Sequence, residues 1–320
     1  RFYINTRRFF EALTKWQNHS EVIEFIVQCF SNAPELQVPL FVLFFLIYFI
    51  ILTGNITICT TVTVDPHLHT PMYWFLSNFS ILEILHTSAI LPKLLTMLIT
   101  QHKTISTTGC KMQLFFFMAF TCIEYSLLTI MAYDRYVAIC DPLRYIARMT
   151  PKLCLTLIVA SLVVSFLDPI GHVTVISKLS YCGSHVIEHF FCDVTPLLKL
   201  SCSDTFMVQL LNYIEGALVV FSFFLPILTS YIFIISAILK IQSSEGRQKA
   251  FSTCASHLSC VIIFYGTLVF LYVRPTTSYY SKRDKFFALL HIVLIPMLNP
   301  LIYTLKNKEF QSAFIKLRDR

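Results

Sequence analysis

Four stretches of this chain run for 20 residues or more without one charged side chain: 36–64, 216–239, 250–273 and 286–305. About 20 mainly apolar residues cross the hydrocarbon core of a bilayer as a helix, which satisfies its own backbone hydrogen bonds where lipid offers none. Three further stretches come close. These are 66–92, interrupted by Glu83, 112–133, interrupted by Glu124, and 153–167, which reaches span length only by continuing past Asp168. The expected architecture is an all-α membrane protein, a seven-transmembrane helix bundle over residues 36–306, with an extracellular N-tail (1–35) before it and a cytoplasmic segment (307–320) after it. Seven spans of about 22 residues leave only short loops, so no separate soluble domain fits.

Composition agrees. The 320 residues are 56% hydrophobic and 13% charged, where a soluble domain carries about 25% charged residues. The net charge of +7 does not mark a nucleic-acid partner. Such proteins gather Lys and Arg on one polar face, and here the bases sit between long apolar runs. The motifs also exclude an enzyme: there is no Gly-rich phosphate loop, no nucleophile beside a base and no His-Glu-x-x-His. His185, His189 and Cys192 share one loop, a pattern that is ordinary loop composition far more often than a metal site.

Punctuation places the helix ends. Thr70-Pro71 and Thr150-Pro151 read as an N-cap followed by Pro at the first helical position, where its missing N–H costs nothing. They open the second and fourth spans, while Asp141-Pro142 closes the third, since the residue before Pro avoids the helical region. Pro226, Pro296 and Pro300 fall inside apolar runs and predict kinks. With the N-tail outside, 12 Lys/Arg lie on the cytoplasmic side against 13 outside, or 9 once Arg1, Arg7, Arg8 and Lys15 are set aside. That is a weak preference for this orientation. Asn18-His19-Ser20 is a glycosylation sequon in the tail, and with no apolar core before residue 36 the first span is expected to direct insertion itself. The expected location is the plasma membrane, multi-pass, with the N-terminus extracellular. Cys110, Cys182, Cys192 and Cys202 then share the outer side, where four thiols allow three pairings.

Charges inside the spans most need a reason. A carboxylate near the bilayer centre costs about 2.5–3.5 kcal/mol on insertion scales, so Glu83 and Glu124 are either protonated packing glue or engaged in a task. Glu215, a turn or two inside the fifth span, either receives a polar or basic end of a ligand or reaches the outer interface. Asp134 and Arg135 end the third span. As exposed neighbours they would contribute only about 0–1 kcal/mol, so stability does not account for them. Past the seventh span, Phe310, Ala313, Phe314 and Leu317 recur at i, i+3, i+4 and i+7 beside Lys308, Lys316 and Arg318, the pattern of an amphipathic helix on the inner membrane surface.

The ten residues from Met131 to Cys140, with Asp134-Arg135-Tyr136 among them, continue through Asp141-Pro142-Leu143-Arg144-Tyr145. This segment resembles the signature of the olfactory (odorant) receptors within the rhodopsin-like G-protein-coupled receptors. Further matches follow in order. Gly54-Asn55 stands in the first span and Leu68-His69-Thr70-Pro71-Met72-Tyr73 before the second. Ser230-Tyr231 lies in the fifth, Lys249-Ala250-Phe251-Ser252-Thr253-Cys254 through His257-Leu258 opens the sixth, and Pro296-Met297-Leu298-Asn299-Pro300 through Ile302-Tyr303 ends the seventh. The resemblance runs from about Asn18 to Phe314.

It implies an odorant-activated receptor. A small volatile ligand binds between helices 3, 5, 6 and 7, helix 6 opens, and a heterotrimeric G protein of the stimulatory olfactory type raises cAMP. Leu114, Phe117, Met118, Thr121 and Cys122 share a helical face that is ordinarily core packing; the match to the family's pocket makes them ligand candidates, with Glu215 and Val219 on the fifth helix and Tyr265 on the sixth. Arg135 is implied to be the switch, with Asp134 and Tyr136 beside it. It extends into the opened cleft, where Tyr231 and Tyr303 hold the open state and Asn299 and Pro300 belong to the seventh-span motif. Glu83 and Glu124 are implied to face a small polar cavity with a structural Na⁺ between them, and no other cofactor is implied. Among the pairings the resemblance selects Cys110 with Cys192 and Cys182 with Cys202, which makes the loop after the fourth span a lid. A ligand of about ten heavy atoms predicts weak, micromolar to millimolar binding. Two alternatives are a chemosensory receptor for a non-odorant metabolite and a seven-span transporter; seven spans do not divide into the repeats a transporter shows.

Overall fold

The computed structural model describes residues 24–29, 34–100, 102–182, 185–272, 281–298, 300 and 308–318. The long helices are α1 Gln37–Val64, α2 Pro71–Thr100, α3 Thr107–Cys140, α4 Pro151–Ile176, α5 Phe206–Leu239 and α6 Ser244–Tyr272. They are followed by α7 Ser281–Leu289, which passes into a π-helical turn at Leu290–Leu294, and by α8 Lys308–Arg318. Helices α1 to α5 are long and apolar enough to cross a membrane, and α6 carries a shorter apolar stretch at His257–Thr267.

The ends follow local chemistry. Pro71 and Pro151 are the first residues of α2 and α4, and the Thr150 hydroxyl accepts from the Leu153 N–H at 3.3 Å. Ser106 caps α3 by accepting from the Gly109 N–H, and α3 stops at Cys140, ahead of Asp141-Pro142. Helix α4 continues past Asp168 and through Pro169 to Ile176, so its uncharged run was only its first two-thirds.

Burial sorts the helices. In the apolar stretch of α3 78% of the residues are buried, against 56% in α2 and 22% in α1 and in α4, which makes α3 the axis, with α2 next to it in burial and α1 and α4 in the wall. Phe45, Phe49, Leu155, Val164 and Ile232 point outward and exposed. A soluble protein rarely leaves contiguous apolar surface of this kind, and here it is the face toward lipid.

The all-α reading missed a three-stranded sheet at one end of the bundle. Strand β1 (Glu24–Val27) lies between β2 (Thr104–Ser106), to which it is antiparallel, and β3 (Val186–Ile187), to which it is parallel. Alternation explains it: Phe25 and Val27 are buried while Glu24 and Ile26 face out, the period of a strand with one covered face. Residues 24–27 of the expected N-tail are therefore part of the packed fold, and Lys285 of α7 donates to the Gln28 carbonyl at 2.8 Å beside them. Cys110 at the start of α3 is bonded to Cys192, and Cys182 to Cys202, the two pairs the resemblance implied.

At the opposite end α8 returns under the bundle. Phe310 and Ala313 are buried against Ile58, Val62, Leu68, Tyr73 and Leu76, and the Tyr73 hydroxyl donates to Glu309 at 3.2 Å. Phe314 is 39% exposed, so only half of the expected apolar stripe packs on protein.

Candidate functional site

A cavity of about 790 Å³ lies between α3, α4, α5 and α6, inside the range of about 300–1,000 Å³ usual for small-molecule sites. From α3 it takes Phe117, Met118, Thr121, Cys122 and Tyr125, and from α5 and α6 Glu215, Phe224, Tyr231, Leu258, Val261 and Tyr265. Asp193 and Val194, next to the bonded Cys192, close its upper side. Six of the eight expected pocket residues therefore share one cavity. Leu114 does not line it. It is fully buried in the core cluster with Ile90, Leu94, Cys110 and Phe191, because one turn above Phe117 that face of α3 meets α2 and the bonded loop. The Val219 side chain lies outside the described residues. No described residue of α7 lines the cavity, and α4 takes the place expected for it.

The polar end of the cavity lies on α4 beyond the uncharged run, where the sequence showed Asp168 but not His172. Asp168 and His172 stand one helical turn apart, both line the cavity, and Glu215 faces them from α5. His172 Nδ1 is 2.8 Å from Glu215 Oε2, an ion-pair approach without hydrogen-bond alignment. Asp168 lies within interaction range of both. The His172 ring is 2% exposed, and among the described residues neither of its nitrogens has a hydrogen-bond partner.

Beneath Phe117 is a second buried cluster. Glu124 Oε1 is 2.5 Å from His86 Nδ1 on α2, and Oε2 is 3.8 Å from His291 Nε2. The π-helical turn carries His291 into this position, where it packs against Phe264 at 5.1 Å. Glu83 is fully buried on α2. The Na⁺ expected between Glu83 and Glu124 calls for an oxygen shell, since hard cations take carboxylate, carbonyl and water ligands. Both Glu124 oxygens instead face imidazoles, and no group of three or more His, Cys, Asp or Glu among the described residues is arranged to hold a metal. An ion there would have to displace His86, so these donors do not fit sodium.

At the far end of α3, Asp134 is 1% exposed, not the exposed charge expected. It accepts from Arg135 Nη2 at 2.5 Å and from the Tyr145 hydroxyl at 2.7 Å. Tyr136 packs its ring on Phe233 of α5 at 5.9 Å. Tyr231 is turned toward α6, where its hydroxyl is 2.7 Å from His257 Nδ1, and His257 Nε2 meets the Leu128 carbonyl at 3.1 Å. Gly54 faces Pro300, and Asn55 donates to the Pro296 carbonyl at 3.2 Å. Asn18, Asn299 and Tyr303 lie outside the described residues.

His86, His172 and His291 are functional candidates that the sequence did not single out, and His257 stood there only as part of the sixth-span match, with no role. His172 had a local signal, an acid four residues earlier on one helical face. The others find their partners on different helices, and one sequence carries no trace of that.

Comparison with known proteins closes the identification. The olfactory receptor family profile matches residues 44–318. The chain is 46% identical to Olfactory receptor 5AR1 of Mus musculus over 94% of its own length and 97% of the relative's. It is 48% identical to Olfactory receptor 5B12 of Homo sapiens over 94% and 96% of the two chains, and 47% identical to Olfactory receptor 5A1 of Homo sapiens over 97% and 98%. With relatives matched over most of their length, the chain belongs to the olfactory receptor family, odorant-sensing G-protein-coupled receptors of the membrane and not enzymes.

Proposed function

We propose that the protein is a plasma-membrane odorant receptor with its N-terminus outside, coupling to the stimulatory olfactory-type G protein to raise cAMP. The observation that carries this reading is the double position of Tyr231, which lines the cavity and also closes the α5–α6–α3 contact through His257. A ligand in the cavity therefore touches the group that holds α6 in place. It drives opening only to the extent that it binds the open state better than the closed one. Opening releases Tyr231 from His257 and frees Arg135 from Asp134 to meet the G-protein tail. The Na⁺ site is not needed, and no step passes through it. Arg135→Ala tests the reading: surface-expressed variant should give no odorant-evoked cAMP, and a retained response overturns it.

A further inference from the structure

Three acids, Asp168, Asp193 and Glu215, line the cavity, and none of its described lining residues is Lys or Arg. Two of the acids stand beside His172, whose ring is 2% exposed and has no hydrogen-bond partner among the described residues. Asp168 and Glu215 also lie within hydrogen-bond reach of each other, and even with one proton shared between the two carboxyls the pair retains one negative charge. Both acids are half-buried against an apolar lining, and a charge held there with no basic side chain among the described lining residues is costly. Something that enters the cavity is positioned to relieve that cost.

The groups offered are acceptors. The neutral His172 ring offers one lone-pair nitrogen, neither of its nitrogens having a hydrogen-bond partner among the described residues, and the carboxylates of Asp168 and Glu215 accept as well. Their ideal complement carries several N–H donors and a positive charge. The rest of the cavity, Phe117, Met118, Phe224, Val261 and Tyr265 among it, accepts hydrocarbon.

Resting on the receptor reading above, we propose that the activating ligand is a small aliphatic or aromatic amine, its ammonium bound by Glu215, Asp168 and His172 and its hydrocarbon body lying against α3 and α6. An alcohol of the same skeleton brings one donor and no charge. A carboxylic acid brings a further negative charge and is excluded. The competing role for the cluster is a tie between α4 and α5 that no ligand touches. The two roles differ in one respect: loss of a tie weakens every ligand equally, whereas loss of a binding group weakens amines alone.

The test is a cAMP reporter with surface staining of the full receptor, using hexylamine and benzylamine beside hexanol, benzyl alcohol, hexanoic acid and benzoic acid. The amines should act at concentrations about tenfold below the matching alcohols, as a charge-assisted bond is roughly twice as strong as a neutral one, and the acids should be inert. Glu215→Gln, which keeps size and removes charge, should raise the amine half-maximal concentration by about tenfold or more, and leave the alcohols within about threefold. Asp168→Asn should act in the same sense, and covers the case in which Glu215→Gln fails to reach the surface. An equal loss for amines and alcohols in either variant overturns the proposal. Wild-type receptor answered only by alcohols or acids overturns the amine assignment and leaves the odorant-receptor reading standing. Wild-type receptor at the surface answered by no member of a broad volatile panel overturns both.

Discussion

The Tyr231 hydroxyl donates to Nδ1 of His257, while the other ring nitrogen of His257 donates to the Leu128 carbonyl. One imidazole thus joins α5, α6 and α3 about two helical turns from Arg135. Each of these bonds contributes about 1 kcal/mol, a small but decisive amount for a two-state receptor. His257→Ala should therefore raise ligand-free cAMP about five- to tenfold at equal surface level, since 1.4 kcal/mol is a factor of ten. An unchanged basal signal would show that the contact does not restrain α6.

Gly54 sets how closely α1 approaches the end of α7. A Cβ added there would lie 3.3 Å from both Cβ and Cγ of Pro300, tighter than ordinary packing. Gly54→Ala should cost about 1 kcal/mol and Gly54→Leu about 3, as overpacking usually does. Thermal unfolding of the detergent-solubilised receptor should rank them in that order.

The two disulfides differ in what they restrain. Cys110–Cys192 joins positions 82 residues apart and Cys182–Cys202 positions 20 apart, which on the chain-entropy account gives about 4.5 and 3.3 kcal/mol. The longer closure also fixes the loop that carries Asp193 and Val194 to the cavity. Cys192→Ser should lower both surface level and odorant response, while Cys202→Ser should lower surface level less. Equal losses in both measures would contradict this ranking.

His189 predicts an acid sensitivity of the loop between α4 and α5. Its ring is 1% exposed between Phe190 and Phe191, both 4.7 Å away, and burial, with Lys285 adding to it, holds its pKa down at about 3. The folded loop thus refuses a proton that the unfolded loop accepts below about 6.5. Stability is fully present above that value and falls by about 1.4 kcal/mol per pH unit below it, until the folded pKa is reached. Between pH 7.5 and 5.5 the wild type should lose melting temperature that His189→Phe, which keeps the aromatic packing, retains.

The sequence made the bundle legible because lipid imposes one rule, the length of uncharged helix, and Thr-Pro and Asp-Pro pairs marked the ends within a residue or two. The cavity was partly legible on α3, where Phe117, Met118, Thr121 and Cys122 repeat at helical spacing. Leu114 was misplaced because periodicity gives a face and not the depth at which the face turns from cavity to core. His172 escaped because a lone His on an apolar helix carries little signal, and the uncharged run of the fourth span ends at Leu167, five residues short of it. The sheet escaped because four residues of alternation in a polar tail are too short to outweigh the surrounding helices.

That sheet has a consequence for how the receptor is made. Ile26 of β1 pairs with Val186 of β3, and at about 5–20 residues per second a ribosome needs roughly 8 to 32 s to travel between them. Through the synthesis of four helices the tail strand has no parallel partner, and its Phe25 and Val27 stay uncovered. Completion of the cap is thus the late event of biogenesis, and a chain stalled before the second long loop would present a sticky strand to the quality-control machinery.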